Sequence, residues 1–533
     1  MNWDLPFPSG RQPVLARNVV ATSQPLASQA GAQAFARGGN AIDAALAAAI
    51  TLTVVEPTMN GIGGDAFALV WDGGALHGLN GSGRSPAGWS GQRFADRDSM
   101  PNLGWDSVTV PGGVSAWVAL SERFGRLPFM DLFDSAIRHA RDGFPVSPVI
   151  ARQWAQAVTD LAGQPGFDVF MPHGRAPRVG ELWRFASQAD TLAEIAESRG
   201  ESFYRGRLAQ AMAAHAAEHG GAMTEADLAA HRPDWVEPVS QAFRGHAVHE
   251  IPPNGSGLGA LIALGLLEHL PYDEAPAGSA ARMHLEIEAM RVAFADLQTH
   301  VGDIEYMRVA PQQLLDPDYL RKRAGLIDPA HAGRYRPGQP PGGGTVYLCA
   351  ADAEGRMVSF IQSNYKGFGS GVVVPGTGIA LHNRGIGFVT TPGHVNQVAG
   401  NKRPLHSIIP AFMTKDGQPV MAFGVMGGNM QTQGHLQMVL RHLVEGRNPQ
   451  AASDAPRWRI NDAAALTLEP QVSLEVVEGL IGMGHEPQVA PLNNLDFGSA
   501  QLIVRLDETT VRSPEAVYAA GSDHRRDGQA IGC

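Results

Sequence analysis

Hydrophobic and polar positions alternate between helical and extended patterns along the first half of the chain. Apolar residues at helical spacing over 25–37 predict a helix that stops at Gly38. Asn40, with Asp43 three residues later, is typical of the capped start of a second helix. Amphipathic or strongly apolar stretches predict further helices over 111–124, 130–142, 260–267 and 281–298.

The pattern changes at residues 326–344, where Pro and Gly are so frequent that a packed element is not expected. We interpret this stretch as the strongest linker in the sequence. Directly after it, extended patterns over 345–351 and 357–362 flank the turn DAEG and predict a β-hairpin. The second half is rich in predicted strands, with a helix over 435–444. Helices covering apolar strands predict a layered α/β architecture, although periodicity leaves the topology open.

Composition narrows the class of function. Hydrophobic residues make up 44% of the 533 residues and charged residues 17%, which predicts a folded chain. A formal net charge of -11 argues against nucleic acid and against an anionic membrane surface, both of which attract basic proteins. A small-molecule substrate fits this balance better.

The two cysteines, Cys349 and Cys533, cannot build a disulfide framework, so we expect a reducing compartment. Neither has a Cys or His neighbour at ligand spacing, and the sequence predicts no metal site. The first residues lack the apolar segment of a signal peptide, and the apolar stretch 44–55 is too short to span a bilayer. We therefore predict a cytoplasmic protein with no cofactor.

Thr345 carries the main chemical hypothesis, because it follows the glycine-rich linker and begins a predicted buried strand. If the chain is cut before Thr345, the freed α-amine lies on the same residue as the hydroxyl. Its pKa of about 7.7–8.0 suits the base that activates this hydroxyl. The hydroxyl could first attack the Gly344 carbonyl, so that the chain cuts itself. From spacing alone, an ordinary strand threonine remains the better interpretation.

Other motifs are ambiguous when taken singly. The glycines of MGGN (426–429) could aim two backbone N–H groups at one oxygen, or form a plain tight turn. GIGGD (61–65) lacks the glycine spacing of a dinucleotide site, and SDHRRDG (522–528) predicts a solvated charged turn. The sequence contains no GxSxG, HExxH or CxxC, which removes support for the usual serine, zinc and redox enzymes.

Taken in order, several stretches resemble the γ-glutamyltransferase family closely. These are GGNAIDAALAAAITLTVVEPTMNGIGGDAF (38–67), GGGT (342–345), PGTGIALHNR (375–384), GNKRPLHSIIP (400–410), GVMGGNMQTQ (424–433) and SDHRRDG. The resemblance implies the four-layer αββα sandwich of N-terminal-nucleophile hydrolases, within the α/β (α+β) class. It also implies a proenzyme cut between Gly344 and Thr345 into a large subunit, 1–344, and a small subunit, 345–533, that stay together. A homodimer of such heterodimers is compatible with it.

The resemblance also assigns roles residue by residue. Thr345 matches the nucleophile, and Ser363 matches a hydroxyl residue that hydrogen-bonds it. Gly427 and Gly428 match the glycines of the oxyanion hole. Ser407 matches the second of two serines that hold the carboxylate of the substrate.

The departures from the family pattern concern substrate binding. His406 replaces the first of those serines, and Tyr365 replaces a substrate-binding asparagine. The acidic residue that grips the glutamyl ammonium is matched by Gly387, and the amide side chain before it by Arg384. The arginine that clamps the α-carboxylate has no direct counterpart, although Arg84 lies two positions from its place. We predict that these side chains, apart from Gly387, contribute to the substrate site.

The resemblance predicts an autoprocessed amidase that acts on glutathione or another γ-glutamyl amide. The departures favour an anionic acyl group, because Arg84 and Arg384 could bind a carboxylate. They leave open a monoamide of a small dicarboxylic acid such as oxamate, or an acylase of the cephalosporin kind. A lid segment shortened over 384–400 favours hydrolysis over transfer. A hypothesis of another class is an unprocessed relative that only binds small anions.

Overall fold

The computed structural model describes residues 10–333, 335, 344–461, 464–492, 494–506 and 515–533. Part of the predicted linker, residues 334 and 336–343, lies outside the described residues. The helices are α1 (Pro25–Ala36), α2 (Ala41–Val55), α3 (Gly113–Phe124), α4 (Asp134–Asp142), α5 (Pro148–Leu161), α6 (Ala186–Ser198), α7 (Glu201–Arg205), α8 (Arg207–Glu218), α9 (Glu225–Ala230), α10 (Leu258–Leu267), α11 (Ala280–His300), α12 (Pro311–Leu314), α13 (Pro317–Ala324), α14 (Met430–Leu443), α15 (Pro449–Asp454) and α16 (Leu474–Gly482).

The strands are β1 (Val14–Ala16), β2 (Val19–Thr22), β3 (Asp65–Trp71), β4 (Leu76–Asn80), β5 (Phe144–Pro145), β6 (Leu182–Trp183), β7 (Asp234–Val236), β8 (Val239–Phe243), β9 (His246–Glu250), β10 (Gly344–Ala351), β11 (Met357–Tyr365), β12 (Val373–Val374), β13 (Ile379–Ala380), β14 (Ala411–Lys415), β15 (Gln418–Val425), β16 (Trp458–Ile460), β17 (Leu466–Leu468), β18 (Gln488–Val489), β19 (Ala500–Arg505), β20 (Tyr518–Ser522) and β21 (Gln529–Gly532).

Two seven-stranded sheets form the centre of the molecule. One, which we call the Thr345 sheet, has the order β21-β2-β10-β11-β3-β4-β7. The other, the second sheet, has the order β1-β20-β19-β15-β14-β9-β8. Every strand pair within both sheets is antiparallel. Each sheet contains strands from both halves of the chain, so both predicted subunits are needed to complete either one.

Helices cover the outer face of each sheet. Helix α2 packs on β10 and β11, whereas α10 and α14 pack on the second sheet. Between these layers the two sheets face each other, with β10 and β11 against β15. This arrangement confirms the predicted four-layer αββα sandwich, which the apolar strands make necessary because both of their faces are buried.

Helix α2 shows how local sequence produces a buried element. The Asn40 side chain accepts from the N–H groups of Ile42 and Asp43, and the Asp43 carboxylate accepts from the Asn40 N–H at 2.9 Å. Every residue of α2 is buried, because the helix is apolar all round and packs between α1 and the Thr345 sheet. The predicted capped helix is confirmed.

Three sequence predictions need correction. Helix α14 begins at Met430 and not near residue 435, because its first turns carry buried glutamines that hide the apolar period. Residues 130–142 begin as a 3-10 turn, and the α-helix starts only at Asp134. The prediction of a solvated turn for 522–528 is wrong: Asp523 and Arg525 are buried, since charged groups from distant segments pair with them.

Candidate active site

Thr345 lies fully buried near the start of β10, in the interior of the Thr345 sheet. The register of β10 and β11 shifts between Gly344 and Val346. As a result, the single residue Thr345 on β10 faces two residues on β11, Ser363 and Asn364. Such a bulge bends the strand locally and re-aims a side chain, as is frequent beside active sites.

The Thr345 hydroxyl has two side-chain neighbours. It lies 3.4 Å from the Ser363 hydroxyl, to which it donates, and it accepts from the Gln431 amide nitrogen at 3.1 Å. The Ser363 oxygen also accepts the backbone N–H of Tyr365 at 2.7 Å. The structure therefore brings the predicted nucleophile and its predicted hydroxyl partner together, and adds an amide donor that sequence reasoning missed.

Gln431 belongs to the first turn of α14, three residues after Gly428. Its side-chain oxygen accepts the backbone N–H of Ile409 at 3.0 Å, which orients the amide nitrogen toward Thr345. The only signal in the sequence was its place in MQTQ after the paired glycines. A glutamine there suits an ordinary helix surface equally well.

The glycine pair lies in the turn between β15 and α14. Gly427 has φ +115 and Gly428 φ +60, in the region that side-chain-bearing residues rarely adopt. Neither amide donates a backbone hydrogen bond to another described residue. Because Gln431 lies in the first turn of α14, the glycine turn that leads into this helix is close along the chain to a residue that contacts the predicted nucleophile. The oxyanion hole at its two amides stays a prediction.

A small cavity of about 30 Å³, partly open to solvent, adjoins this turn. We call it the Tyr365 cavity; it is lined by Ser256, Tyr365, Gly387, Ser407, Asn429 and Thr432 together with Phe294, Leu297 and Leu405. Asn429 directly follows the glycine pair, so the cavity reaches the end of the glycine turn. Two of the predicted substrate-binding residues, Tyr365 and Ser407, thus share one pocket.

Arg384 is buried and does not line this pocket itself, but it contacts two residues that do. Its guanidinium donates to the Ser407 hydroxyl at 2.9 Å and lies 4.4 Å from the centre of the Tyr365 ring. The remaining donors, Nε and Nη2, have no hydrogen-bond partner among the described residues. Burial lowers the pKa of Arg384 to about 10, against the opposing effects of Tyr365 and of Asp65, so the group stays charged at neutral pH.

His406 does not line the Tyr365 cavity. Its Nε2 atom lies 3.1 Å from the Asp65 carboxylate, and both side chains are fully buried. Burial holds the pKa of His406 well below its usual range, with the nearby Arg384 adding to the effect. Burial also raises the pKa of Asp65 to about 7, although Arg384 counteracts it. Neutral His406 thus lies outside the lining of the pocket, where its Nε2 atom hydrogen-bonds to the Asp65 carboxylate.

Asp65 itself was missed as a site residue. It stands directly opposite Ser363 in the sheet and accepts the backbone N–H groups of Gly83 and Gly112 at 3.3 and 2.9 Å. The glycine before it in GIGGD lets the two strands lie close together, because a Cβ on Gly64 would lie 2.8 Å from the Ser363 carbonyl oxygen. That close contact explains the motif, which the spacing had left ambiguous.

Arg84 is placed apart from the other predicted substrate-binding residues. Its guanidinium pairs with Asp303 and Glu305, at 3.2 Å to each carboxylate. It lines a different cavity, with Asn80 and Arg403. Arg84 therefore forms ion pairs with carboxylates of the protein itself. Its contact with the substrate stays a prediction.

One group of side chains in the described part of the chain has metal-ligand spacing. The ligand atoms of His284, Glu288 and His485 lie within 4.8 Å of one another. They already bond to protein groups, however: the two imidazoles share a hydrogen bond of 2.7 Å, and Glu288 accepts from Arg291 and from Gly333. None of the three ligand residues lines the Tyr365 cavity.

Among the described helices, none has both the length and the apolar composition needed to traverse a bilayer.

Comparisons with known proteins all point to the same family. The model of the family described as gamma-glutamyltranspeptidase matches residues 27–533. The glutathione hydrolase-like YwrD proenzyme of Bacillus subtilis is 35% identical, covering 97% of this chain and 98% of its own. The oxamate amidohydrolase proenzyme of Klebsiella pneumoniae is 35% identical over 95% of this chain and 97% of its own.

Among solved structures, a cephalosporin acylase from Bacillus halodurans superposes with a TM-score of 0.94 at 47% identity, covering 100% of this chain and 99% of the other. The relatives named as proenzymes share nearly the full length of the chain, so one precursor that yields a large and a small subunit is the common plan. With a buried threonine beside a glycine turn in the same fold, the chain belongs to the gamma-glutamyltranspeptidase family of autoprocessed N-terminal threonine amide hydrolases.

Proposed function

We propose that this protein hydrolyses amides in which the acyl group is a small dicarboxylic acid, bound through its free carboxylate by Arg384. The observation that carries the proposal is the pair of unbonded N–H donors on a buried guanidinium beside the Tyr365 cavity. A buried charge without full hydrogen bonding is costly. A carboxylate that accepts both donors side by side would remove that cost and fix the position of the acyl chain.

The same surroundings disfavour a γ-glutamyl group, which carries an α-ammonium as well as a carboxylate. None of the residues that line the Tyr365 cavity is acidic, and glycine occupies position 387, where the resemblance places the acidic residue. Arg384 would moreover repel an ammonium group nearby. The carboxylate of Asp65 acts on Arg384 electrostatically, and its raised pKa leaves it only partly ionised near neutral pH.

In this proposal the chain is first cut between Gly344 and Thr345. The freed α-amine of Thr345 takes the hydroxyl proton, and the oxygen attacks the carbonyl carbon of the substrate. The N–H groups of Gly427 and Gly428 bind the oxygen that becomes negative in the tetrahedral intermediate. The C–N bond then breaks, the amine leaves with a proton, and water hydrolyses the remaining ester on Thr345.

The names of three relatives bear on the acyl group, and one of them names an amide of a dicarboxylic acid. One is called an oxamate amidohydrolase and another a cephalosporin acylase, whereas a third is called glutathione hydrolase-like. The γ-glutamyl amide therefore remains the competing substrate, and it differs from the proposed one by a single group.

A matched pair of substrates isolates that group. Glutaryl-p-nitroanilide and γ-glutamyl-p-nitroanilide differ only by the α-ammonium, and both release a coloured amine. We expect processed wild-type protein to prefer the glutaryl compound by roughly 10- to 100-fold in kcat/KM, the effect of a lost or repelled charged contact. Oxamate, followed by ammonia release, tests a shorter acyl group.

The Arg384→Met variant provides the control. It should lower kcat/KM for glutaryl-p-nitroanilide by about 10²- to 10³-fold, because the substrate carboxylate loses its buried partner, while self-cleavage continues. Equal or better turnover of the γ-glutamyl compound by wild-type protein would refute the dicarboxylate proposal. So would an Arg384→Met variant that hydrolyses glutaryl-p-nitroanilide as fast as wild-type protein.

A further inference from the structure

We propose that Gln431 is a catalytic residue, which stabilises negative charge on the Thr345 hydroxyl oxygen during both self-cleavage and turnover. Its amide nitrogen lies 3.1 Å from that oxygen, and both side chains are fully buried. The proposal rests on Thr345 as the nucleophile and is independent of which acyl group is bound. It adds a third donor to the site, beside the glycine pair that serves the carbonyl oxygen.

The orientation of the amide makes Gln431 a donor to the Thr345 hydroxyl oxygen. Its oxygen is occupied by the backbone N–H of Ile409 at 3.0 Å, so the nitrogen must face the nucleophile. The Thr345 hydroxyl meanwhile directs its own hydrogen toward Ser363 at 3.4 Å. A neutral donor held on the lone pairs of the oxygen stabilises the deprotonated form without competing for its proton.

The oxygen carries negative charge at two points of each reaction. In self-cleavage it bonds to the Gly344 carbonyl carbon, the peptide C–N bond breaks, and the Thr345 nitrogen takes the proton. Water then cleaves the ester, and the Thr345 oxygen leaves as an alkoxide that is protonated. In turnover the same oxygen attacks the amide and is later expelled from the acyl-enzyme. The donor of Gln431 assists each formation of that alkoxide.

Self-cleavage offers a test that needs no substrate. Radiolabelled precursor made by cell-free synthesis is chased at pH 5 to 9, and the fall of the 533-residue band is followed on a denaturing gel. Gln431→Met removes the donor at similar volume, and we expect cleavage about 10²-fold slower than in wild-type protein, the usual effect of deleting one such donor. Gln437→Met, a buried glutamine on the same helix that bonds to Gln433, Trp458 and Arg441, is the control and should cleave at the wild-type rate.

Gln431→Glu separates a chemical from a structural role. The carboxylate keeps an oxygen for Ile409, and when protonated it can still donate to Thr345, whereas the ionised form repels an alkoxide. The ratio of its cleavage rate to that of wild-type protein should therefore fall at least about tenfold from pH 5 to pH 9.

Each outcome decides the proposal. If Gln431→Met cleaves within about twofold of wild-type protein, or if the Gln431→Glu ratio is independent of pH, Gln431 has no such role. Should Gln431→Met fail to fold, the pH dependence of Gln431→Glu alone decides. Thr345→Ala is included because continued cleavage in that variant would overturn the nucleophile itself, a failure distinct from that of Gln431.

Discussion

Arg525 and Arg384 are both buried in the interior. Arg525 follows the end of β20 by three positions, whereas Arg384 lies beside Tyr365. Arg525 donates to Glu469 through Nε and Nη2, at 2.7 and 2.6 Å, and to Asp523 through Nη1 at 3.1 Å. Although burial opposes its charge, these carboxylates raise its pKa. Arg384 has one hydroxyl and one aromatic ring as direct neighbours, and burial lowers its pKa.

The difference separates a charge that the fold itself compensates from one whose guanidinium keeps two donors without a described partner. Around Arg525 the carboxylates belong to the protein, so the cluster joins segments of the small subunit and contributes to folding. Around Arg384 the protein supplies less than the guanidinium requires, which is common where a binding site is preorganised. The same residue type therefore has opposite roles, and the partners decide which.

The largest effect should come from Arg525→Met. Removing the guanidinium leaves Glu469 and Asp523 buried with fewer partners, and we expect the free energy of unfolding to fall by about 3–5 kcal/mol. Urea unfolding followed by circular dichroism would measure it. The identical change at Arg384 should leave the unfolding free energy within about 1 kcal/mol of wild type, since no buried anion in direct contact loses its partner. Equal losses of unfolding free energy in the two variants would contradict the distinction between Arg525 and Arg384.

A smaller effect is expected from ligand binding to processed protein. Glutarate, the product of the proposed reaction, should raise the free energy of unfolding by about 2.7 kcal/mol at a concentration 100 times its Kd. Butyrate, which has the same chain with one carboxylate fewer, should stabilise much less, because acyl carboxylate and reacting carbonyl no longer bind together. Thermal unfolding with each ligand measures this. If glutarate stabilised Arg384→Met as strongly as wild-type protein, Arg384 would not be the partner of the ligand carboxylate.

The smallest effect, taken per pH unit, sharpens the contrast between Asp65, near Arg384, and Asp523, near Arg525. The pKa of Asp65 is raised to about 7 in the fold by burial. Its contribution to stability is therefore complete below about pH 4 and is lost as pH rises toward 7, with a slope of at most about 1.4 kcal/mol per pH unit. Asp65→Asn should accordingly gain stability relative to wild type over that range.

Asp523 should behave with the opposite sign. Burial opposes its charge, but Arg457 and Arg525 hold its pKa well below the usual range. Its contribution is present above about pH 4 and is lost only on further acidification. Urea titrations of wild type, Asp65→Asn and Asp523→Asn from pH 3 to 8 would check both signs. Parallel pH profiles for all three proteins would contradict them.

Local patterns predicted the elements whose causes are local. The capping of α2 by Asn40, the hairpin after Thr345 and the apolar helix α10 all follow from short stretches of sequence. Where the period is interrupted by buried polar groups, as at Gln431, the start of α14 was placed too late. The turn 522–528 was misjudged for a related reason, because its charges resemble a surface until their distant partners are known.

The order of the motifs determined the family, the four-layer fold and the choice of Thr345, because these depend on residue types in succession. Tertiary structure alone decided which side chains meet: Arg384 with Ser407 and Tyr365, Gln431 with Thr345, and Arg84 with carboxylates of the protein itself. The physical reason is that burial and charge compensation depend on groups tens to hundreds of residues apart. A sequence shows which charges a protein carries, whereas only the folded chain shows which of them already have partners.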